Sequence, residues 1–349
     1  MKNFQTIKLN LLHEERGRDI DMKLLSKSDI FSIFEGKELE VINLVKDAYI
    51  AHFNGRSSLP HSCFLRFPND QKNRIIALPA FLGDSYNIAG IKWIASFPDN
   101  ISKKIPRASS LLILNCMDTG RPIAVMEASI ISARRTAASA ILAAQKLTLS
   151  TPKTFGIIGA GPISYEILRF AHAGLTTLSN VIIFDLNQDR AQEFIDSAKK
   201  EFPTLNYRVA FRLDDVLKEA DPISFATNTS TPYLENLDLV PTGKTLLHIS
   251  LRDLSIEAIL QARNFTDDID HACRENTSLE LTEKKIGNRD FIAGTLSEVL
   301  EGRIPARTKQ FETVIFSPFG LGVLDLALAK YAYQESNIKE EGKLISSFV

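Results

Sequence analysis

The chain has 349 residues, 44% of them apolar and 24% charged, which is ordinary for a soluble globular protein and enough for two cores. A formal net charge of −1, with basic residues spread along the chain, gives no general attraction to nucleic acid or to an anionic membrane, so neither is an expected partner. No stretch reaches the roughly eighteen consecutive apolar residues of a membrane span, and Lys2, Lys8, Glu14, Glu15, Arg16, Arg18 and Asp19 stand where a secretory signal would be apolar, so the cytoplasm is the expected compartment.

Residues 1–21 read as a charged N-terminal extension, because a regular pattern begins only at MKLLSKSDI and runs into a helix-like stretch over 37–52. From 74 to 126 the pattern changes to short apolar runs, RIIALPAFL, NIAGIKWIASF, SLLILN and PIAVME. These predict strands, the last two joined as a hairpin around Asp118, Thr119 and Gly120. Residues 129–147 are rich in Ala and free of Gly and Pro, which predicts a long helix linking two domains.

The run FGIIGAGPIS followed by VIIFD over 155–185 predicts strand, glycine turn, helix and second strand, the opening of a dinucleotide-binding βαβ unit. Gly159 suits a tight turn, Gly161 a close approach of backbone to pyrophosphate, and Ser164 close packing of helix on sheet. Ile163 and Ile167 continue with helical spacing, and the helix N-terminus would face the phosphates. Asp185 closes the second strand, where an acid accepts from ribose hydroxyls and repels a 2′-phosphate, so NAD is expected over NADP. Beyond it, helices at about 188–201 and 216–220 alternate with apolar runs at 223–226 and 246–249, which implies a parallel sheet. A short helix is expected at 296–301, and a final helical pattern after Gly322 should return to the first domain.

The chemistry-bearing candidates are cations in apolar settings. Lys92 lies within AGIKWIASF, where a strand has no ordinary use for a charge; it is either a snorkelling edge lysine or an ammonium that faces a cleft, holds a substrate carboxylate and moves a proton. Arg66 in CFLRFP could hold a carboxylate with its guanidinium fork or form a surface ion pair, and Arg107 in IPRASS could bind a second carboxylate. Arg134 and Arg135 are adjacent on the linking helix and diverge by about 100 degrees, so only one can face a given site. Asp253, beyond a sheet strand, is either a base or the N-cap of a helix over SIEAIL. Cys63, Cys116 and Cys273 are odd in number and outside CxxC spacing, so reduced structural thiols are expected, and the six scattered histidines predict no metal site.

Taken together, GIKWIAS, the run RASSLLILNCMDTGRPIAVMEASIISARRTAA, the GAGPIS loop and SPFGLGVLDLALA resemble the ornithine cyclodeaminase and mu-crystallin family from about residue 22 onward. The resemblance implies an α/β protein with a Rossmann NAD-binding domain (131–317) inserted in an α+β substrate and dimerisation domain (1–130 with 318–349), assembled as a homodimer. It implies that Lys92 and Arg66 bind the substrate carboxylate and that Arg135 lies at the cofactor phosphates, with Asp253 near the catalytic aspartate. The expected cofactor-binding set is Arg135, Thr136, Gly159, Gly161, Ile163, Asp185 and Thr227.

Two departures from the cyclodeaminase pattern stand out. Ile75, Ile76 and Ala77 replace the glutamate that would handle an ornithine side chain, and SLRDLS replaces the usual run around the catalytic aspartate. Within the family the chain looks most like the branch of N-(2-amino-2-carboxyethyl)-L-glutamate dehydrogenases, which supply 2,3-diaminopropionate for siderophores and peptide antibiotics. Three carboxylates on such a substrate would account for Arg66, Lys92 and Arg107. The alternatives are an alanine dehydrogenase, cyclodeaminase or ketimine reductase, and a crystallin-like binding protein without turnover.

Overall fold

The computed structural model describes residues 21–348, so nearly all of the charged extension lies outside the described residues. In chain order the elements are β1 (Met22–Leu25), α1 (Lys27–Phe34), α2 (Glu38–Phe53), β2 (Ser57–Ser58), β3 (Cys63–Phe67), β4 (Asp70–Leu82), β5 (Ile88–Ser96), β6 (Ala108–Asn115), β7 (Pro122–Glu127) and α3 (Ser129–Leu147). The nucleotide half continues with β8 (Thr154–Ile158), α4 (Pro162–Gly174), β9 (Asn180–Phe184), α5 (Gln188–Glu201), β10 (Asn206–Val209), α6 (Leu213–Glu219), β11 (Ile223–Phe225) and β12 (Thr245–His248). Then come α7 (Ile256–Leu260), β13 (Arg263–Thr266), α8 (Ile269–Ala272), α9 (Ser278–Ile286), β14 (Ile292–Thr295), α10 (Leu296–Leu300), β15 (Val314–Phe316), α11 (Gly322–Ile338) and β16 (Lys343–Ile345). No helix among the described residues is long and apolar enough to cross a membrane.

Two compact units result. One takes the described residues up to Glu35, then Gly55–Ser132 and the segment from Asp325; the other takes Gly36–Asn54 and Ala133–Leu324. The division therefore falls inside α3 and inside α11. It also assigns α2 to the nucleotide half, whereas the sequence reading put that stretch in the substrate domain. The reason is packing: Gly174 at the end of α4 closes against Ile42 of α2, and Ser297 of α10 donates to the Tyr49 carbonyl at 3.1 Å.

The first unit is built on a sheet in the order β16-β1-β7-β6-β5-β4-β2, with β3 also paired to β4. β1 runs parallel to β7 and the other pairs are antiparallel. Period-two alternation sends Leu112, Leu114, Ala124 and Met126 inward, while Leu65, Trp93 and Leu111 stand on the opposite face at 45%, 45% and 52% exposure. Ions and rings tie the unit together locally, as where Phe34 of α1 meets Tyr331 of α11.

In the second unit all strands are parallel, in the order β10-β9-β8-β11-β12-β15-β13-β14. β8 is buried from Phe155 to Ile158, as a strand covered on both faces must be. Helix α5 shows how the flanking layer forms: Asn187 caps its first turn, and Ala191, Phe194, Ile195 and Ala198 make one buried stripe at helical spacing. The region 254–312, of mixed signals in the sequence, supplies two further strands to this sheet.

Candidate functional site

Strand order reverses at β8, which pairs with β9 on one side and β11 on the other, so the crevice for a ligand opens at their carboxyl ends. The glycine turn sits there. Gly159 has φ +95°, and a Cβ on it would come within 2.9 Å of the Ala226 carbonyl and 3.2 Å of the Thr227 methyl, so the turn is pressed onto the end of β11. A Cβ on Gly161 would meet open space, which is the room that a pyrophosphate needs. Gly161 is also the N-cap of α4, with Pro162 at the first position and no side chain capping the turn that carries Ile163. Ser164 is fully buried and donates to the Gly159 carbonyl, so it packs the helix and closes the loop at once. Asp185 accepts from the Ala160 amide at 2.7 Å and from the Asn187 amide at 2.9 Å, which fixes its carboxylate beside the glycine turn. These residues fit a dinucleotide: open backbone donors, a helix N-terminus and an acid at the ribose position.

Asp253 is in different surroundings from those expected of a base. It is fully buried, and its carboxylate accepts from the hydroxyls of Thr227, Ser250 and Tyr233, the last at 2.8 Å. The His248 ring lies 3.5 Å from Oδ2. Burial alone would raise this carboxyl, but hydrogen bonding and charge from His248, with the Ser250 and Thr227 hydroxyls, outweigh it and hold the group at about 2. A carboxylate with its lone pairs so occupied positions the loops after β11 and β12 and is poorly suited to shuttling protons near neutrality. The N-cap alternative is also corrected, since Ser255 caps α7 and accepts from the Ala258 amide at 3.1 Å. Thr227, expected at the cofactor, bridges Asp253 and the glycine turn.

The adjacent arginines of α3 diverge as helix geometry requires. Arg134 is buried, 3.8 Å from Glu166 on α4. Arg135 points elsewhere: its guanidinium lies against Gly320, where an added Cβ would come within 2.5 Å, in the loop after β15, and the φ of +97° there favours glycine. Asp267 staples that loop, accepting from the Phe319 amide at 3.0 Å and the Gly320 amide at 2.6 Å. Neither Asp267 nor Gly320 was singled out from sequence. Thr136 follows Arg135 and is half-buried.

In the other unit, Lys92 is the decisive side chain. It is 2% exposed in a central strand, which removes the snorkelling edge reading. Its Nζ donates to Asp325 Oδ2 at 2.7 Å and to Ser132 Oγ at 3.2 Å, and Asp325 is itself fully buried. Asp325 was missed, although one acid inside the apolar helix run GLGVLDLALA was a signal of an internal partner. Ladder register puts Arg66 on the same sheet face as Lys92, stacked on Phe64 at 5.4 Å and exposed. Arg107 does not join them. It precedes β6, is exposed, and uses its carbonyl to accept from the Phe97 amide at 2.8 Å. All three cysteines are free; Cys63 is exposed, Cys116 half-buried and Cys273 buried.

Comparison with known proteins adds the following. A sequence model of the ornithine cyclodeaminase/mu-crystallin family matches residues 27–340. The chain is 29% identical over 336 residues to N-((2S)-2-amino-2-carboxyethyl)-L-glutamate dehydrogenase of Staphylococcus aureus, covering 94% of this chain and 99% of that protein. It is 27% identical over 314 residues to alanine dehydrogenase of Archaeoglobus fulgidus, covering 88% of this chain and 94% of that protein. Among solved structures, an archaeal alanine dehydrogenase dimer with bound NAD superposes with a TM-score of 0.83 at 25% identity, over 93% of this chain and 99% of that one. Delta(1)-pyrroline-2-carboxylate reductase of Thermococcus litoralis, in complex with NADH and L-proline, superposes with a TM-score of 0.87 at 23% identity, over 93% of this chain and all of that one (100%).

Proposed function

Since the chain belongs to the ornithine cyclodeaminase/mu-crystallin family, we propose that it is a cytoplasmic NAD-dependent amino-acid dehydrogenase that cleaves N-(2-amino-2-carboxyethyl)-L-glutamate to 2,3-diaminopropionate and 2-oxoglutarate, for siderophore or peptide-antibiotic precursors. The observation that carries this reading is Lys92, an ammonium buried on a strand face beside a carboxylate partner. NAD, when bound, supplies the hydride acceptor. Gly159, Gly161 and the first turn of α4 would hold its phosphates, with Arg135 and Thr136 contributing, while Asp185 accepts from the ribose. On the substrate, loss of the α-hydrogen and of the proton on nitrogen converts the amine to an imine. Water adds to that carbon and expels 2,3-diaminopropionate, leaving the 2-oxo acid. Lys92, oriented by Asp325 and Ser132, binds the α-carboxylate and exchanges a proton with nitrogen or water; Arg66 binds a second carboxylate. Asp253 acts through Thr227 and Tyr233 as a positioning residue. A panel of N-substituted glutamates and plain amino acids, followed by NADH absorbance, tests the reading: turnover confined to the plain amino acids would overturn the named substrate.

One observation favours an alanine dehydrogenase as the second reading. Arg107 is exposed ahead of its strand, so one of the three cations expected for a tricarboxylate does not sit with the others.

For the cofactor, replacing Asp185 with Ser is expected to weaken NAD by about tenfold and to relax its preference over NADP, because the ribose loses its acceptor and the Ala160 amide its anchor. Titration of both nucleotides checks this, and tighter NADP binding to the unaltered protein would contradict it. A homodimer is also expected. The sheet face bearing Leu65, Trp93 and Leu111 is apolar and exposed, and a second copy would cover it. Sedimentation of the unaltered protein should give twice the chain mass, and a monomer at micromolar concentration would refute it.

A further inference from the structure

We infer that Asp267 is a positioning residue of the cofactor site: by pinning the loop after β15 it holds the Arg135 guanidinium in place for a dinucleotide phosphate. This rests on the dehydrogenase reading and adds to it a residue that acts on the cofactor only through another.

The topology brings the parts together. β13 and β15 are parallel neighbours, with Phe265 opposite Phe316, so Asp267 and residues 317–320 leave the sheet side by side. They leave at its carboxyl edge, on which the glycine turn after β8 also lies. Asp267 is 2% exposed and takes backbone amides with both oxygens: Oδ1 accepts from Phe319 at 3.0 Å and from Asp268 at 2.9 Å, and Oδ2 accepts from Gly320 at 2.6 Å. Two consecutive amides on one carboxylate fix the peptide between them. The Thr266 hydroxyl adds a second tie, donating to the Ser317 carbonyl at 2.9 Å. Against the loop so fixed rests the Arg135 guanidinium, with Nη1, Nη2 and Cζ at 2.5, 3.1 and 3.2 Å from where a Cβ of Gly320 would stand.

A tyrosine on α2 shows that the two charges lie close together. Tyr49 is fully buried, and its phenol oxygen is 2.7 Å from the Ser139 hydroxyl, one turn beyond Arg135 on α3. Burial and the Asp267 charge push this phenol up, while the Ser139 hydroxyl and the Arg135 charge pull it down, so both charges act on one oxygen. Burial raises Asp267 itself, against the amides of Phe319, Gly320 and Asp268. An apolar side chain could fill the same space without desolvating a charge. What the acid supplies is a rigid pair of amides beside Arg135, and a guanidinium held in advance loses less freedom when an anion binds.

The test reads NADH binding by nucleotide fluorescence and so does not depend on turnover. Asp267→Asn keeps the size of the side chain but sets a donor against the Phe319 or Gly320 amide, and it should raise the NADH Kd by about tenfold. Arg135→Met should raise it by about thirtyfold. Because both changes remove one contact, Asp267→Asn should add less than about twofold in the Arg135→Met background. With an oxidisable amino acid, the loss in Asp267→Asn should appear in the KM for NAD more than in kcat. Should Asp267→Asn fail to fold, Gly320→Ala serves instead: its methyl meets the guanidinium, and the Kd should again rise by about tenfold with the same lack of additivity. A folded Asp267→Asn protein that melts earlier but binds NADH as tightly as the unaltered one overturns the inference, and so do losses that multiply in the double variant. Failure of the dehydrogenase reading would look different: NADH binding and its coupling between the two sites would be intact, but no amino acid would be oxidised.

Discussion

Replacing Lys92 with Met is expected to lower kcat/KM by about a hundredfold or more and to destabilise the protein by roughly 3–5 kcal/mol. The two losses have separate causes. Activity falls because the α-carboxylate loses its charge-assisted contact and the reacting nitrogen its proton partner. Stability falls because Asp325, fully buried, loses the ammonium that donates to it at 2.7 Å. Asp325→Leu alone should cost a similar amount, for the stranded ammonium. The double variant removes both charges, and buried pairs replaced by apolar groups are often close to neutral, so it should regain stability to within about 2 kcal/mol of the unaltered protein while remaining inactive. Urea unfolding of the four proteins, with steady-state kinetics, separates the effects. Near-normal turnover of Lys92→Met would remove Lys92 from the mechanism, and simple addition of the two single-site losses would mean that the pair is not coupled.

The second large effect is expected at Asp253. Asp253→Asn should destabilise the protein by about 2–3 kcal/mol at pH 7, because three hydroxyl donors face a carboxylate that an amide replaces incompletely. It should also alter the acid response. The folded carboxyl lies near 2, below its ordinary 3.8, so the stabilisation it gives is present above 3.8 and is lost as pH falls toward 2. That contribution is about 2 kcal/mol over this window, and the Asn variant should lack it, giving a flatter stability curve between pH 4 and 2. For a positioning residue, the shape of the kcat/KM pH profile should survive the substitution while NAD binding weakens. A variant with unchanged stability and NAD affinity but a thousandfold loss of kcat would instead return Asp253 to the role of proton carrier.

Features that rest on local chemistry were legible in the sequence. The glycine turn at 159–161, the acid ending β9, the uninterrupted helix α3 and the β6–β7 hairpin each follow from short-range pattern, since backbone freedom, period and capping act within a few residues. Lys92 was legible too, because a charge within an apolar run demands a reason. Tertiary structure decided what depends on distant partners. Asp325 meets Lys92 across 233 positions of chain, and β16 pairs with β1 from the other end of the sequence. The isolated acid at 325 carried no sign of which cation it would meet. Asp253 looked like a base or a cap because its residue type permits both, and only the convergence of Thr227 and Tyr233 from the β11–β12 connection with His248 and Ser250 at the end of β12 fixed its charge and closed it off. Nothing in the sequence singled out Arg74. Register placed it opposite Arg66 and Ser96, and register is set by sheet pairing along the whole strand, which no single residue reveals.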